Sequence, residues 1–407
     1  YFKCDWNAHL FRSQNMFSHL GVLSADLVRA VGGFRLGMEG SQDWDLVLRC
    51  MEHVEARQVR HIPRVLYHWR VHAESTAKSM DAKPYAVVAG ERALNEHFER
   101  TQTRATAEHI GFGYRVHYAL PDTPPLVSLV ISTRNAAVSL RRCVDAIVAK
   151  TVYPRYEIIV ADNASDDAAA QACLESVAGR PNVRVLRHAQ KQGAAVLRNA
   201  AVEAATGDVI ALLDDSLEVL TPEWLSEMVS LALQPGVGAV GARLMDRRRI
   251  LAHAGIILGL GPDGVAGCSH RGMPAGREGY GGRAALIQSL SAVTSACLVI
   301  RRDRYLQMGG LDETHLTEAF ADVDLCLRLG EAGLRTLWTP YAELLDHRPA
   351  TRARKSTELA SGPLQDDVAY MRRRWGAWLQ NDPAYSPNLM LEREDFSYAW
   401  PPRLAPL

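Results

Sequence analysis

The sequence predicts an α/β fold, a largely parallel sheet with helices on both faces, preceded by a partial second copy of the same unit at the N-terminus. Three observations carry this. Short β-branched runs alternate with helix-period segments from Val127 onward. Polar residues follow at once on four consecutive strand ends. The chain also resembles itself at an offset of 277 residues at one pair of glycines and 279 at one pair of aspartates.

The 407 residues are enough for two or three domains. With 47% apolar and 23% charged residues the chain should fold, which excludes a disordered protein or a coiled coil. Lys plus Arg and Asp plus Glu each number 46, so no global field draws the chain to nucleic acid, and none is expected as a partner. Seven scattered cysteines without a C-x-x-C read as reduced packing residues. The longest apolar stretches, around 127–131, 209–213 and 254–260, fall far below the roughly 20 residues of a membrane helix. The chain starts at Tyr1 without an initiator Met or signal peptide and reads as a piece of something longer.

A Pro-rich break at 120–125 marks a domain boundary, because fixed φ values and missing donors stop regular structure. After it the expected order is strand 127–132, helix 137–150, strand 156–161, helix 166–178, strand 182–187, helix 194–205 and strand 208–213. Shorter strands over 237–242, 254–258 and 297–300 follow, then a helix over 322–332 and a strand over 335–339. The domains read as 1–99, a linker over 100–124, a complete unit over 125–380 and an extension over 381–407.

In an open parallel sheet, ligands bind beyond the carboxyl ends of the strands. Here those ends are followed by Thr133-Arg134-Asn135, Asp162-Asn163, His188 and Asp214-Asp215-Ser216. Each taken alone is an ordinary turn or helix cap; four in a row favour a shared crevice.

The repeat matches Gly32-Gly33 and Asp43-Trp44-Asp45-Leu46 to Gly309-Gly310 and Asp322-Val323-Asp324-Leu325. Pro63 with His72 matches Pro340 with His347. Residues 1–99 therefore read as the second half of a truncated copy. Arg328, four residues after Asp324, is placed to pair with it on one helix face.

Five ordered blocks, 126–135, 156–166, Arg198-Asn199, 212–216 and 320–325, resemble family 2 glycosyltransferases of the GT-A fold. Tandem bacterial enzymes of O-antigen and surface-polysaccharide synthesis are the nearest in kind. The resemblance implies a nucleotide-sugar donor and a glycan or lipid-linked acceptor. It implies inverting, metal-assisted transfer in the cytoplasm, peripherally at the inner membrane. By the resemblance, Asp162 and Asn163 read the base edge with Thr133 and Arg134 alongside, and Arg198, Asp214 and Asp215 hold the rest of the donor. Mn or Mg would bind at Asp215, Ser216 and His347, oxygen ligands suiting hard cations, although Ser216 stands where the family has an acidic residue. That departure keeps a non-catalytic nucleotide- or sugar-binding partner domain as the alternative.

Asp322 matches the family's catalytic base, Asp324 following, and Asp43 and His72 are the truncated-copy counterparts. Helix capping, worth about 0.3–1 kcal/mol, is the bland explanation of an aspartate there; the second carboxylate in both copies argues for more. The G-x-G-x-x-G at 259–264 is set aside as a dinucleotide site, because Pro262 and later glycines keep a helix from opening behind it. The Arg runs 247–249 and 372–374 read as solvated faces, and they would suit an anionic membrane surface carrying the acceptor.

Overall fold

The computed structural model describes residues 1–68, 84–348 and 362–404, so His72 lies outside the described residues. The N-terminal part carries helices α1 (Ala8–Ser13), α2 (Ala25–Ala30), α3 (Gln42–Met51) and α4 (Pro84–Arg100) and strands β1 (Ala105–His109) and β2 (Tyr114–Tyr118). Next come β3 (Val127–Thr133), α5 (Ala137–Lys150), β4 (Tyr156–Asn163), α6 (Ala168–Ala178), β5 (Val183–His188), α7 (Ala194–Glu203) and β6 (Val209–Asp214). The chain continues through β7 (Leu217–Val219), α8 (Trp224–Ala232), β8 (Val237–Met245), β9 (Leu251–His253), β10 (Ile256–Leu258) and β11 (Ala266–Cys268). It closes with β12 (Gln288–Leu290), β13 (Cys297–Arg301), α9 (Arg302–Gln307), α10 (Ala321–Glu331), β14 (Arg335–Asp346) and α11 (Gly362–Gln380).

The main sheet runs β12-β14-β8-β13-β6-β3-β4-β5, with β7 on β14 and β9 on β8. The β6-β3-β4-β5 part is parallel, and β13 enters antiparallel between β6 and β8. Alternate residues feed two apolar layers. Leu129, Ile131, Ile158, Val160 and Ala211 pack with α5, α6 and α8, while Val130, Ile159, Ala161 and Leu212 pack with α7, α10 and α11. Strands buried on both faces read in sequence as unbroken β-branched runs, which is why β3, β4 and β6 were legible.

Segment 100–124, expected as a linker, instead holds the β1–β2 hairpin, with Tyr114, Val116 and Tyr118 buried. Its alternation with Arg115 and His117 is a period-2 strand signal on short segments that lack a continuous apolar run. The apolar layer over β1–β2 also takes in Leu10, Phe11, Leu48 and Leu94 from the N-terminal helices. The 381–407 extension packs as well: Tyr385, Leu389 and Phe396 are buried, and Asp382 accepts from the Leu258 amide at 2.6 Å.

The second correction concerns β14, expected to stop at Thr339. It continues through Pro340 to Asp346, because a register shift between Trp338 and Glu343 accommodates the missing donor. The G-x-G-x-x-G segment forms the turn between the antiparallel strands β10 and β11, with Gly259, Gly261 and Gly264 at positive φ.

The repeat is visible in the backbone. Helices α2 and α9 are each followed by two glycines in the left-handed region, with φ of 82° and 69° at Gly32-Gly33 and 77° and 70° at Gly309-Gly310. The long helices α3 and α4 correspond in order to α10 and α11.

Candidate functional site

Parallel pairing sets Thr133 opposite Asp162, Ser132 opposite Asp214 and Asn163 opposite His188, so the four polar strand ends meet along one edge. Beside them opens a cleft of about 420 Å³ lined by Arg134, Asp162, Ser165, Arg187, His188 and Lys191, among others. Asp162 is buried and accepts from the Ser165 amide at 3.3 Å and from its hydroxyl. Asn163 points its amide elsewhere: it donates to the Gln192 carbonyl at 3.0 Å and accepts from the Gln192 amide at 2.8 Å, which fixes the loop after β5. Three non-glycine residues bordering this edge adopt left-handed backbone, Asn135 (φ 48°), Ala164 (φ 53°) and Phe320 (φ 61°). Such strain costs about 1–3 kcal/mol each and is tolerated where the surroundings fix it, often at functional sites.

The acidic end is a dense network. Thr133 Oγ1 donates to Asp215 Oδ2 at 2.6 Å. Arg198 divides between Asp214 Oδ1 (2.5 Å) and Ser295 Oγ (2.7 Å), and its buried Nε has no protein partner. Asp214 Oδ2 accepts from Arg348 Nη1 at 2.6 Å. Ser216 Oγ donates to Asp346 Oδ1 at 2.9 Å, and Arg348 donates to both oxygens of Asp346.

Asp322 begins α10 and accepts through Oδ2 from the Ser295 amide (2.8 Å) and hydroxyl (3.1 Å). Ser295 thereby joins Asp322 to Arg198 and on to Asp214. Under this loop the buried His253 accepts from the Thr294 amide at 3.2 Å, and burial pushes its pKa down to about 4. The imidazole is therefore neutral around pH 7. Asp324 has a different task. It is 2% exposed, accepts from Arg328 Nε at 2.7 Å as the i, i+4 spacing predicts, and accepts from Trp375 Nε1 at 2.9 Å. Arg328 also reaches the carbonyls of Met308 and Gly310, so this carboxylate holds the Gly309-Gly310 turn. Asn199 secures the same turn through the Leu311 backbone.

Of the residues expected to hold Mn or Mg, Ser216 and His347 sit side by side, the His347 amide donating to the Ser216 carbonyl at 3.0 Å, but their side chains turn to protein partners. His347 accepts from Arg247 Nε at Nδ1 (2.9 Å) and faces Glu218 Oε2 with Nε2 (2.8 Å). Burial raises the Glu218 carboxyl, but hydrogen bonds from Lys150 and His347 outweigh it and hold the pKa below the usual range. Ser216 uses its hydroxyl as a donor and Asp215 is held by Thr133. Among the described residues, no three His, Cys, Asp or Glu side chains come together to hold a metal ion. With these side chains turned to protein partners, no step below passes through the cation.

Sequence reasoning missed Ser295, Asp346 and Arg348. The last two carry the same signal as the other strand ends, polar residues directly after an apolar run, hidden by reading Pro340 as a stop. Among the described residues no helix is long and apolar enough to cross a membrane. The basic runs meet local partners: Arg248 bonds Asp246, Arg374 bonds Glu331, and Arg372 bonds the Asp263 carbonyl.

Residues 128–251 match the family model described as glycosyl transferase family 2. An uncharacterized protein of Sinorhizobium fredii, y4gI, is 46% identical over 98% of this chain and 44% of its own length. The O-antigen biosynthesis protein RfbC of Myxococcus xanthus is 32% identical over 97% of this chain and 30% of its own. The chain thus spans less than half the length of these curated relatives. A crystal structure of GalNAc-T7 with UDP, GalNAc and Mn2+ superimposes with a TM-score of 0.52 at 17% identity, covering 64% of this chain and 49% of that one. Fold, ordered motifs and relatives agree that residues 128–251 of the sheet domain belong with the family 2 glycosyltransferases, on a fold shared with a solved glycosyltransferase.

Proposed function

We propose that the chain transfers a sugar, with inversion, from a nucleoside diphosphate donor to a hydroxyl of a growing surface glycan. The observation that carries this reading is the hydrogen-bonded path Asp322–Ser295–Arg198–Asp214, which ties one carboxylate at a helix start to the acidic end of the crevice. The nucleoside lies in the cleft beside Arg134 and Asp162, with its diphosphate toward Asp214. The acceptor oxygen attacks the anomeric carbon opposite the phosphate, its proton passes to an Asp322 oxygen, and the bond to the phosphate oxygen breaks with the electron pair leaving on the nucleoside diphosphate. Ser295 positions Asp322, and Arg198 faces the charge that grows on the leaving group. The relative named for O-antigen biosynthesis supports a glycan or lipid-linked acceptor, and the fold neighbour solved with UDP supports a nucleotide donor.

A panel of nucleotide sugars, assayed for hydrolysis and transfer and by thermal shift, tests this. At least one nucleoside diphosphate sugar should raise the melting temperature and release nucleoside diphosphate. Stabilisation without any turnover would favour the binding-partner alternative.

A further inference from the structure

The acidic end contains a charge arrangement that the family resemblance does not anticipate. Strand β7 pairs antiparallel with the end of β14, Asp346 opposite Leu217, and this brings Asp346 beside Ser216. The carboxylate missing at position 216 is thus supplied from another strand. Arg348, two residues on, lies between Asp346 and Asp214: Nη2 reaches Asp346 Oδ2 at 2.6 Å and Nη1 reaches Asp214 Oδ2 at 2.6 Å. Arg198 holds the other oxygen of Asp214. Two guanidiniums therefore face Asp214 and Asp346, with Asp215 a third carboxylate whose charge also reaches Arg348. These contacts use one hydrogen on each nitrogen of Arg348 and leave two of its five N–H groups for an incoming oxygen. The Arg348 side chain is 40% exposed, so those donors are reachable from solvent, whereas Asp346 beneath it is only 10% exposed.

We propose that Arg348, braced by Asp214 and Asp346, receives the donor diphosphate in the place of a divalent cation. The inference rests on the donor reading above. Its chemistry is that of an Arg–phosphate pair, charge-assisted and two-pronged, with a charge that never titrates near neutrality. Asp346 is then a positioning residue that aims the guanidinium, and Ser216 orients Asp346.

The test is calorimetric titration of the full chain with UDP, GDP and dTDP and with the matching monophosphates, in excess EDTA and in millimolar MnCl2. In the wild type, the affinity for the diphosphate that binds should differ less than about threefold between the two buffers. Arg348→Ala should lose about 30-fold for that diphosphate and less than about threefold for its monophosphate, as expected for one charge-assisted bidentate contact. Arg348→Lys, a smaller change that guards against misfolding, should lose about tenfold, since an ammonium keeps the charge without the fork. A wild type that binds at least about tenfold more weakly in EDTA, or an Arg348→Ala variant that binds like wild type, overturns the proposal and leaves the donor site standing. A wild type that binds no diphosphate in either buffer overturns the donor reading and this inference with it.

Discussion

In the first copy Asp45 accepts from Arg35 and Arg49, and Arg49 reaches the carbonyls of Val31 and Gly33. In the second copy Asp324 accepts from Arg328 and Trp375, and Arg328 reaches the carbonyls of Met308 and Gly310. The arginine and both carbonyls correspond, so the second aspartate of the motif is a fold device that clamps a Gly-Gly turn. The first aspartate is where the copies part. Asp43 accepts from Asn15 Nδ2 at 3.1 Å, and the Asn15 oxygen is buried without a partner. Asp322 accepts from Ser295, which continues to Arg198 and Asp214. Recurrence of the pair in sequence therefore records the clamp, and the partner of the first carboxylate is where the two copies differ.

The largest expected effect separates the copies by activity. Asp322→Asn should lower turnover by about 10²–10⁴-fold with donor affinity nearly intact, the range for losing a general base, while Asp43→Asn leaves turnover unchanged. Equal losses in steady-state assays of the two variants would erase the distinction.

Stability should unite them. Asp45→Asn and Asp324→Asn each leave an arginine facing a buried neutral group, with side-chain exposures of 0% and 2% at the mutated sites. Each should cost about 3–5 kcal/mol in urea unfolding, as broken buried ion pairs do. A small effect in one copy alone would show that its turn is held by other means.

Acid should then weaken the loop under Ser295. His253 is held near a pKa of about 4 when folded, against about 6.5 unfolded, so the unfolded chain takes up the proton first as pH falls. Its contribution is complete well above pH of about 6.5 and is lost toward pH of about 4, a loss of about 2.5 kcal/mol by pH of about 4.5. Melting curves at neutral and acid pH should show His253→Gln with a flatter dependence than wild type.

The smallest expected contrast lies at the glycines. A Cβ on Gly33 meets nothing within 4 Å, whereas one on Gly310 would come 2.5 Å from Asn199 Oδ1. With φ near 70° at both, Gly33→Ala should cost about 1–2 kcal/mol for the left-handed backbone alone. Gly310→Ala should cost measurably more in the same unfolding assay, because Asn199 must release the Leu311 backbone.

Much of this was legible before any coordinates. The parallel strands announce themselves because burial on both faces demands unbroken apolar runs, and helix α5 spans Ala137–Lys150 as its periodicity predicts. The shared polar edge followed from the strand ends, where Thr133, Asp162 and Asp214 meet by parallel pairing. What escaped depends on tertiary pairing. Pro340 ends a strand in any local reading, and only its place at a bulge beside β8 lets β14 run on to Asp346. Ser295 precedes a strand rather than following one, so the strand-end rule passes it by. Asn163 bonds Gln192, and Asp324 pairs with Arg328 as the i, i+4 spacing predicts, so both side chains hold loops.

The hairpin that replaced the expected linker has a consequence for how the molecule comes apart. Tyr114, Val116 and Tyr118 share one apolar cluster with Leu94 and Phe98 of α4 on one side and with Met228 and Leu231 of α8 on the other. Neither copy can open without stripping a wall from the other. Chains of this length usually melt in steps, domain by domain. Here, among the described residues, one apolar cluster runs from the N-terminal helices into the sheet domain, and scanning calorimetry should record a single endotherm that both enter together.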